Sequence, residues 1–583
     1  MRKASQFIKE LKRRRVYRAA VAYIVVGLGV LGGAEVILDP LGLGDARPLI
    51  VIITLIGFPL AMVFAWVYDL TPTGSLRDSE RDDGTEESAA EALRPASQND
   101  EVSDGIVVLP FENLSPHKED EYFSDGVTED LIAQLYRIGS LRVISRTSAW
   151  QYKTRRVGAK QIAGDLGVAY LLEGSVRRSG SRVRIVAQLI DARRDRHIWA
   201  ETYDRELEDI FEIQSEVADR IASALHLTLS DVSGGPPVDS ESEVLPRATD
   251  KGEPPPQGPG VVMTSDLDAY DFYLRGRYLW NRRGETELNE SVLHLAAAVE
   301  RDPGFVRARS ALAEAYVTLA IYGLRSAQEV LPLARRQADE ALGRHPAEAP
   351  ALSALACVRA IYQWEWARSE AGFADAIEAS PQYPIAPQWL AMNVLVPQGR
   401  FDGAVSQLER ARELDPLSPS VQASFGVVDF MRRDYPRARE RFDLLVQQDP
   451  GFQFAHFFGG LSLLYGGDAG RASESLQRAM EVGGWNPEVA SALGCAFVAE
   501  GREARGRETV GRMRTESAER YVSPVRISLL QSALSDHDAA LDSLDEAVTS
   551  RATDLIWLDV HPGFDALRDH PRFRDLRQRI FQG

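Results

Sequence analysis

Prolines divide the second half of the chain at intervals close to 34 residues. Pro303, Pro346, Pro381, Pro416 and Pro450 are separated by 43, 35, 35 and 34 residues. Proline lacks a backbone N–H and clashes with the preceding helical turn, so each of these residues marks the boundary of a helix. The sequence between them places apolar residues at helical spacing. This period predicts stacked helix pairs, since one pair cannot bury its apolar face without its neighbours.

Small residues recur where paired helices must approach closely. Counted from the prolines, Gly426, Ala438 and Phe442 occupy two small packing positions and one large one. The same positions hold Gly460, Ala472, Leu476 and Ala479 in the next period and, in degenerate form, Gly494, Ala540, Leu544 and Ala547 later. The pattern resembles the tetratricopeptide repeat, which implies an all-α superhelix of seven or eight repeats over residues 263–583. The alternative is an unrelated helical domain with chance prolines.

A shorter repeat closes the chain. HPGFDALR (561–568) is followed nine residues later by HPRFRDLR (570–577). In each unit the residue before proline caps a helical turn, and the apolar side chains predict a C-terminal cap for the superhelix. Metal binding is the alternative, because acidic residues surround the two histidines. We expect the cap and no metal.

Two long apolar runs near the N-terminus predict a transmembrane helical hairpin over residues 19–70. Residues 19–38 are apolar except for Glu35, and residues 49–68 contain no charge. A bilayer core of roughly 30 Å needs about 20 apolar residues per helix. The lipid bilayer is therefore an expected partner of residues 19–68, and a bacterial inner membrane is the expected location.

Basic residues set the expected orientation of this hairpin. Residues 1–18 carry eight Lys and Arg against one Glu, which predicts a cytoplasmic N-terminus and cytoplasmic soluble domains. The alternatives are a periplasmic orientation and a cleaved signal peptide followed by one anchor. Glu35 lies either at the outer interface or inside the membrane as a functional acid. GLGVLG (27–32) matches a dinucleotide-binding pattern, but no strand precedes it, so it indicates close helix packing instead.

Two polar stretches separate the remaining regions. Residues 71–104 are acidic and without periodicity, which predicts a disordered linker. Residues 233–262 are rich in Pro and Gly and predict a second, stiffer linker. Between them, residues 105–232 predict a small α+β domain with the order β-α-β-α-β-β-β-α. The expected fold class is multidomain: a transmembrane hairpin, this α+β domain and a helical superhelix.

The elements of the α+β domain follow from local patterns. Short apolar runs bounded by turn residues predict strands at 105–111 and 141–146. Alternating residues predict a hairpin of 170–178 with 182–191, and HIWAETYD (197–204) extends it. A closing helix carries an apolar stripe of Ile210, Ile213, Val217, Ile221 and Leu225.

An acidic stretch lies where the first helix of this domain begins. Its six carboxylates are Glu119, Asp120, Glu121, Asp125, Glu129 and Asp130. We expect a helix over 124–138 with Ser124 or Asp125 as its N-cap. Glu129 and Asp130 then lie in the first turns, where the helix dipole favours negative charge by about 0.3–1 kcal/mol each. A metal site and a catalytic loop are the alternatives, but the spacing lacks a calcium-binding loop.

Longer stretches of this region resemble a known family. VVLPFENLS, EYFSDGVTEDLIAQL, LRVISRTSAWQYK and LGVAYLLEGSVRRSGSRVRIVAQLIDARRDRHIWAETYDREL are similar to the TolB-like amino-terminal domain of bacterial membrane-linked proteins. The resemblance covers about 104–230. In that family the domain precedes tetratricopeptide repeats and often follows a membrane segment and an effector, such as a nucleotide cyclase, a protein kinase or a winged-helix regulator. The resemblance implies a non-enzymatic domain. The turn RRDRH (193–197) departs from the family, which tends to place a glycine there.

Other features exclude classes of function. The net charge of −18 provides no basic field for nucleic acid, and two cysteines cannot build a disulfide scaffold. No phosphate-binding loop or zinc-protease, kinase or hydrolase motif occurs. We therefore expect no cofactor, no metal and no enzyme. The expected function is a membrane-anchored scaffold that binds proteins through the superhelix and the TolB-like domain, in signalling or envelope assembly. The alternative is a ligand-sensing or weakly enzymatic TolB-like domain that regulates a separate effector.

The proline register also predicts a partner-binding groove. In a tetratricopeptide superhelix the first helix of each pair lines the concave face. The residues placed there are Trp389, Asn393, Phe430, Phe454 and Phe457. Aromatic anchors commonly dominate interface energy, at about 2 kcal/mol or more each. We expect a short, partly apolar protein segment to bind there, with Asn393 bonded to its backbone. The alternative is that phenylalanines of the run 451–460 pack as core.

Overall fold

The computed structural model describes residues 68–71, 74–77, 103–136, 138, 141–155, 157–232 and 264–582. The chain divides into two compact units, residues 1–98 and 99–583. In the first, strands β1 (Tyr68–Thr71) and β2 (Gly74–Arg77) form an antiparallel hairpin. The sequence predicts a disordered linker from residue 71. β2 lies within that predicted range.

The predicted membrane spans fall almost entirely outside the described residues. Residues 19–38 and 49–67 are not described, and Tyr68 begins β1 where the second span was predicted to end. Among the helices that the structure describes, none combines the length and the apolar composition that a bilayer crossing requires. The transmembrane hairpin stays a prediction from the sequence.

The second unit begins with an α+β segment, residues 103–232. Its strands are β3 (Ser103–Val108), β4 (Glu112–Asn113), β5 (Val168–Ser179), β6 (Arg182–Asp191) and β7 (Arg196–Glu206). Its helices are α1 (Glu121–Leu135), α2 (Arg146–Trp150), α3 (Ala159–Leu166) and α4 (Ile210–Val232), with 3-10 turns at Lys118–Asp120 and Leu207–Asp209. The strand order is β3-β5-β6-β7. β3 and β4 pair with β5 in parallel, whereas β5, β6 and β7 are antiparallel. The predicted stripe of α4 is buried against this sheet.

Two local predictions for this segment are wrong. Residues 141–146 do not form a strand: only Val143 bridges to Ile106, and α2 begins at Arg146. α1 begins at Glu121 rather than at Ser124, which is buried inside the helix. In both places contacts with the remainder of the unit outweigh the local pattern.

The turn that departs from the TolB-like pattern has a left-handed residue. Asp195 has φ 50°, a conformation that glycine adopts more readily than other residues. The carboxylate of Asp191 accepts hydrogen bonds from the backbone N–H groups of Arg193 and Arg194, at 3.0 and 3.1 Å. These bonds hold the turn without glycine.

Residues 264–582 form eight consecutive helix pairs and a terminal cap. The pairs are α5 (Leu267–Arg282) with α6 (Glu285–Arg301), α7 (Val306–Ile321) with α8 (Ala327–Leu342), α9 (Ala349–Val358) with α10 (Trp366–Ala379), α11 (Ile385–Leu390) with α12 (Phe401–Leu414), α13 (Pro419–Met431) with α14 (Tyr435–Gln448), α15 (Gln453–Tyr465) with α16 (Ala469–Gly483), α17 (Pro487–Ala499) with α18 (Glu503–Glu516), and α19 (Pro524–Ala533) with α20 (His537–Ser550). π-helical turns extend α9 over Arg359–Gln363 and α11 over Ala391–Leu395. The cap consists of 3-10 turns at Thr553–Trp557 and Pro562–Leu567, followed by α21 (Pro571–Phe581).

The packing positions predicted from the prolines are confirmed. Phe442 fills the space above Gly426, where an added Cβ would lie 2.6 Å from the ring. Leu476 covers Gly460 in the same way, at 2.7 Å. A larger side chain at either glycine would push the two helices of a pair apart. The chain therefore has a tetratricopeptide-like helical superhelix together with a small sheet region.

The C-terminal cap and the segment before it pack against the second and third helix pairs. The Trp366 indole N–H donates to the carbonyl of Ile580 at 2.8 Å, and its ring stacks on Phe581 at 5.3 Å. Thr553 donates to the carbonyl of Ala320 at 3.1 Å, and Arg551 donates to that of Tyr362 at 3.1 Å. The C-terminal segment is thus part of the hydrophobic core of the superhelix as well as its cap.

The α+β segment packs directly on the helix pairs. Asp415, at the end of α12, accepts from the backbone N–H and the hydroxyl of Ser148, and both groups are buried. Gln382 donates to the carbonyl of Leu141 at 2.6 Å and accepts from the N–H of Val143 at 2.9 Å. These bonds fix residues 141–148 and explain why α2 replaces the end of the predicted strand.

Candidate functional site

Two of the predicted groove residues are covered by the chain itself. Phe430 and Phe457 expose 0% and 3% of their surfaces. The Phe430 ring contacts the rings of Tyr465 and His561, each at a centroid distance of 5.8 Å. His561 belongs to the C-terminal cap, which therefore fills the concave face at this point.

Asn393 and Trp389 lie in the distorted end of the fourth pair. Asn393 is 6% exposed, and its amide donates to the carbonyl of Trp389 at 3.1 Å. The π-helical turn over Ala391–Leu395 shifts the register of this helix end. Trp389 is partly buried and packs against the main core. Any contact of these two side chains with a partner stays a prediction.

Phe454 is the exposed member of the predicted set, with 40% of its surface open. It lies in an aromatic row with Phe452 and Phe458, at centroid distances of 6.1 and 4.6 Å. Phe458 in turn stacks on Phe442 at 5.8 Å. The row connects the surface to the core of the pair. The structure does not bring the five predicted residues together on one open face.

The acidic stretch forms part of the interface between the α+β segment and the first helix pairs. Arg277 donates to Glu129 from Nε at 3.1 Å and from Nη2 at 2.6 Å, and to Glu314 from Nη1 at 3.0 Å. Asp130 is 1% exposed and pairs with Arg307 at 2.7 Å. Glu129 and Asp130 are therefore anchors of tertiary structure. Because α1 begins at Glu121, they lie beyond its first two turns and not in them.

Burial and ion pairing act in opposite directions on these groups. Burial alone would raise the pKa of Glu129, but the guanidinium groups of Arg277 and Arg146 hold that pKa below its usual value. The adjacent carboxylate Asp125 is bonded to Lys153 at 2.7 Å, yet burial raises its pKa overall. Among the residues that the structure describes, no group of three or more His, Cys, Asp and Glu side chains could hold a metal ion.

An open cleft lies where the first helix pairs meet the last ones. It measures about 610 Å³ including its solvent-filled mouth. One wall is formed by Glu285 and the loop 321–324, and the other by residues 485–488 and 520–526. Ile321 and Tyr322, which are 37% and 44% exposed, line this cleft. Both side chains are therefore available for contact with a partner.

Charged side chains line the base and the mouth of the cleft. Arg526 lies between Asp554, at 3.0 Å, and Glu488. Partial burial raises the pKa of Glu488, although Arg526 opposes this effect. Arg520 donates to Glu285 at 3.2 and 3.3 Å. This ion pair joins the first helix pair to the loop between the seventh and eighth helix pairs.

Sequence reasoning missed this cleft because its walls are about 200 residues apart in the chain. Its residues lie at helix ends and in the loops between helices, outside the positions that the repeat pattern marks. Trp485 was the available signal, since a tryptophan in a polar loop needs a partner. Arg512 and Arg520 supply it, at 5.2 and 5.4 Å from the ring.

Comparison with models of protein families finds no match. A protein of Rhizobium meliloti (strain 1021) named "Putative adenylate cyclase 3" is 38% identical over 207 residues. The match covers 36% of this chain and 32% of that protein, so the chain spans about a third of its relative.

Solved structures of repeat proteins are similar at low identity. A tetratricopeptide repeat protein from Parabacteroides merdae ATCC 43184 is 13% identical, with 46% of this chain and 100% of that chain covered and a TM-score of 0.34. YrrB, "a TPR protein with an unusual peptide-binding site", is 21% identical over 32% of this chain and 91% of that chain, with a TM-score of 0.23. A human IFIT1 dimer with m7Gppp-AAAA is 15% identical over 53% of this chain and 72% of that chain, with a TM-score of 0.38. The repeat architecture of this chain rests on its own helix pairs and packing positions.

Proposed function

We propose that this protein is a non-enzymatic scaffold that binds protein partners through its superhelix. The observation that carries the proposal is the open cleft, where Ile321 and Tyr322 are exposed side by side. Apolar side chains in a concave site lose unfavourable contact with water when a partner covers them. Phe430 and Phe457 are buried, and Phe430 lies against His561 of the cap, so the cleft is the entry point that we propose for a partner.

The proposal includes an anchor in a bacterial inner membrane. Its support is the two apolar runs at 19–38 and 49–68 and the basic residues that precede them. The TolB-like resemblance of residues 105–232 supports the same arrangement. In this arrangement the α+β segment and the superhelix face the cytoplasm.

A photo-crosslinker at Tyr322 tests partner binding. Benzoylphenylalanine keeps an aromatic ring at this position and reacts with groups that contact it. We expect discrete protein adducts when cells that express the full-length chain are irradiated, because Tyr322 lines the cleft and is 44% exposed. The adducts are identified by mass spectrometry of the purified chain.

The matched control places the same crosslinker at Leu293, which is 70% exposed and does not line the cleft. Adducts at both positions in equal yield, or at neither, would contradict the proposal. The identity of the adducts also tests the proposed orientation of the chain in the membrane. Cytoplasmic proteins fit the proposed topology, and periplasmic proteins would contradict it.

The named relative favours a second candidate function, in which the α+β segment senses a ligand and regulates a separate effector. The chain shares a 207-residue match with a protein named as a putative adenylate cyclase. A cyclase, a kinase or a transcription regulator are effectors that the TolB-like resemblance also implies. In this candidate the chain supplies regulation and the effector supplies catalysis.

Purified full-length chain is expected to form no cyclic AMP from ATP in the presence of Mg²⁺ or Mn²⁺. The reason is that the sequence contains no phosphate-binding loop of the type G-x-x-x-x-G-K-[ST] and that the described residues contain no cluster suited to a metal ion. Cyclic AMP is measured by chromatography, with an active cyclase added to a parallel sample as a positive control. Product that increases in proportion to the concentration of the chain would overturn the non-enzymatic assignment.

A further inference from the structure

The cleft between the ends of the superhelix has an excess of negative charge. Its lining contains three carboxylates, Glu285, Glu488 and Asp554, and two guanidinium groups, Arg520 and Arg526. Each arginine is already bonded to carboxylate. The cleft therefore carries one net negative charge, because Glu488 and Asp554 share Arg526.

We propose that the cleft binds a protein segment that inserts a lysine or arginine side chain between Tyr322 and Glu488. This inference rests on the proposed function and deepens it, since it names the chemistry that a partner must present at the cleft. The cation of the partner supplies the missing positive charge beside Glu488 and Asp554.

Two carboxylates, Asp554 and Glu488, provide the negative charge at the base of the cleft. Asp554 has 12% of its side chain exposed and accepts from Ser523 at 2.7 Å as well as from Arg526. Glu488 has 35% of its side chain exposed, so its carboxylate reaches the cleft while Arg526 holds it in place. A second cation beside Glu488 would be partly shielded from water, where an ion pair is stronger than at an open surface.

Apolar side chains at the mouth of the cleft can pack against the stem of a lysine or arginine. Lysine and arginine carry apolar stems that pack along apolar surfaces while the charged head reaches a polar site. Ile321 and Tyr322 provide such a surface next to the carboxylates. The Tyr322 ring also offers a face to a cation.

The exposed apolar side chains at the cleft favour a protein segment over a small free cation. The cleft opens to solvent at its mouth, so that a side chain can enter it while the rest of its segment stays outside. Flanking residues of a bound segment would cover the exposed parts of Ile321 and Tyr322. A free polyamine would leave these side chains exposed.

An array of random nonapeptides tests the inference on the purified full-length chain. The central residue is fixed as Lys, Arg, norleucine or Glu, and spermidine serves as a competitor that represents a free cation. We expect binding to Lys and Arg peptides to exceed binding to norleucine peptides by about fivefold, which corresponds to roughly 1 kcal/mol for a partly buried ion pair. The preference should decrease with added salt.

Glu488→Gln removes the net charge of the cleft and keeps the shape of the side chain. It should reduce the preference for Lys and Arg to less than about twofold. The matched control is Glu481→Gln, which makes the same change in α16 at a side chain 65% exposed that pairs with Arg478. The control should keep the preference.

The inference is overturned if the parent chain shows no preference for Lys and Arg, if Glu488→Gln keeps it, or if spermidine competes as well as the peptides do. These outcomes are distinct from failure of the proposed function. Protein adducts at Tyr322 without a preference for Lys and Arg peptides would support the proposed scaffold function and contradict only the cation site. Absence of adducts at Tyr322 would remove the scaffold itself.

Discussion

Replacing Arg277 with methionine is expected to loosen the α+β segment from the first helix pairs. The side chain of Arg277 is 15% exposed and bonds to both Glu129 and Glu314. Methionine fills most of the volume but leaves two buried carboxylates without this cation. Removing one partner of a buried ion pair typically costs about 3–5 kcal/mol, because the remaining charge is desolvated and uncompensated.

Hydrogen exchange of the backbone amides in α1 and α5 measures this effect. A local loss of about 3 kcal/mol accelerates exchange by roughly 100-fold or more. The control is Arg282→Met, the same change at an exposed position near the end of α5, which should alter exchange only slightly. Equal effects of the two substitutions would show that the ion pairs do not hold the interface.

The C-terminal cap is expected to detach progressively as the pH falls below about 6.5. Burial lowers the pKa of His561 from 6.5 to about 3, and the positive charges of Arg526, Arg433 and Arg568 act in the same direction. The folded state therefore holds this histidine neutral, whereas the unfolded segment binds a proton at the ordinary value. The contribution of neutral His561 to the stability of the cap is fully present above the unfolded pKa of 6.5. It is lost as the pH falls towards the folded pKa of about 3.

The size of this loss follows from the pKa difference. Each pH unit below 6.5 costs about 1.4 kcal/mol until the folded pKa is reached, so that the cap should lose about 2 kcal/mol at pH 5. Hydrogen exchange of residues 562–581, corrected for the intrinsic rate at each pH, measures the loss. Amides of α14 serve as an internal reference.

His561→Asn tests the origin of the pH dependence. Nδ1 of His561 accepts from the N–H of Gly563 at 3.0 Å, and asparagine offers an oxygen for the same bond. The variant loses ring contacts with Phe430 and Tyr465, so its cap is weaker at every pH, but the decrease between pH 6.5 and 5 should disappear. His570→Asn makes the same change at the half-buried N-cap of α21 and should keep that decrease. A decrease that persists in His561→Asn would assign the acid sensitivity to other groups.

The sequence by itself determined the features that depend on short distances along the chain. The prolines mark the ends of successive helix pairs because a residue without an N–H cannot continue a helix. Gly426 and Phe442 are sixteen residues apart within one pair, so that the repeat period alone predicts their contact. The hairpin of β5 and β6 follows from the alternation of its residues and a turn at Gly180.

Only the tertiary structure decided the features that join distant parts of the chain. Glu129 and Asp130 have the pattern of helix-start charges, and their partners Arg277 and Arg307 lie well over a hundred residues away. Phe430 has the register of a groove residue, but the cap covers it with His561. The open cleft forms because the first and last helix pairs meet, at Glu285 and Arg520. Repeat periodicity describes how neighbouring pairs pack. The contact between the first and last pairs depends on the sum of small rotations along the superhelix, and the buried ion pairs depend on how the α+β segment docks on the first two pairs, and no local pattern contains either.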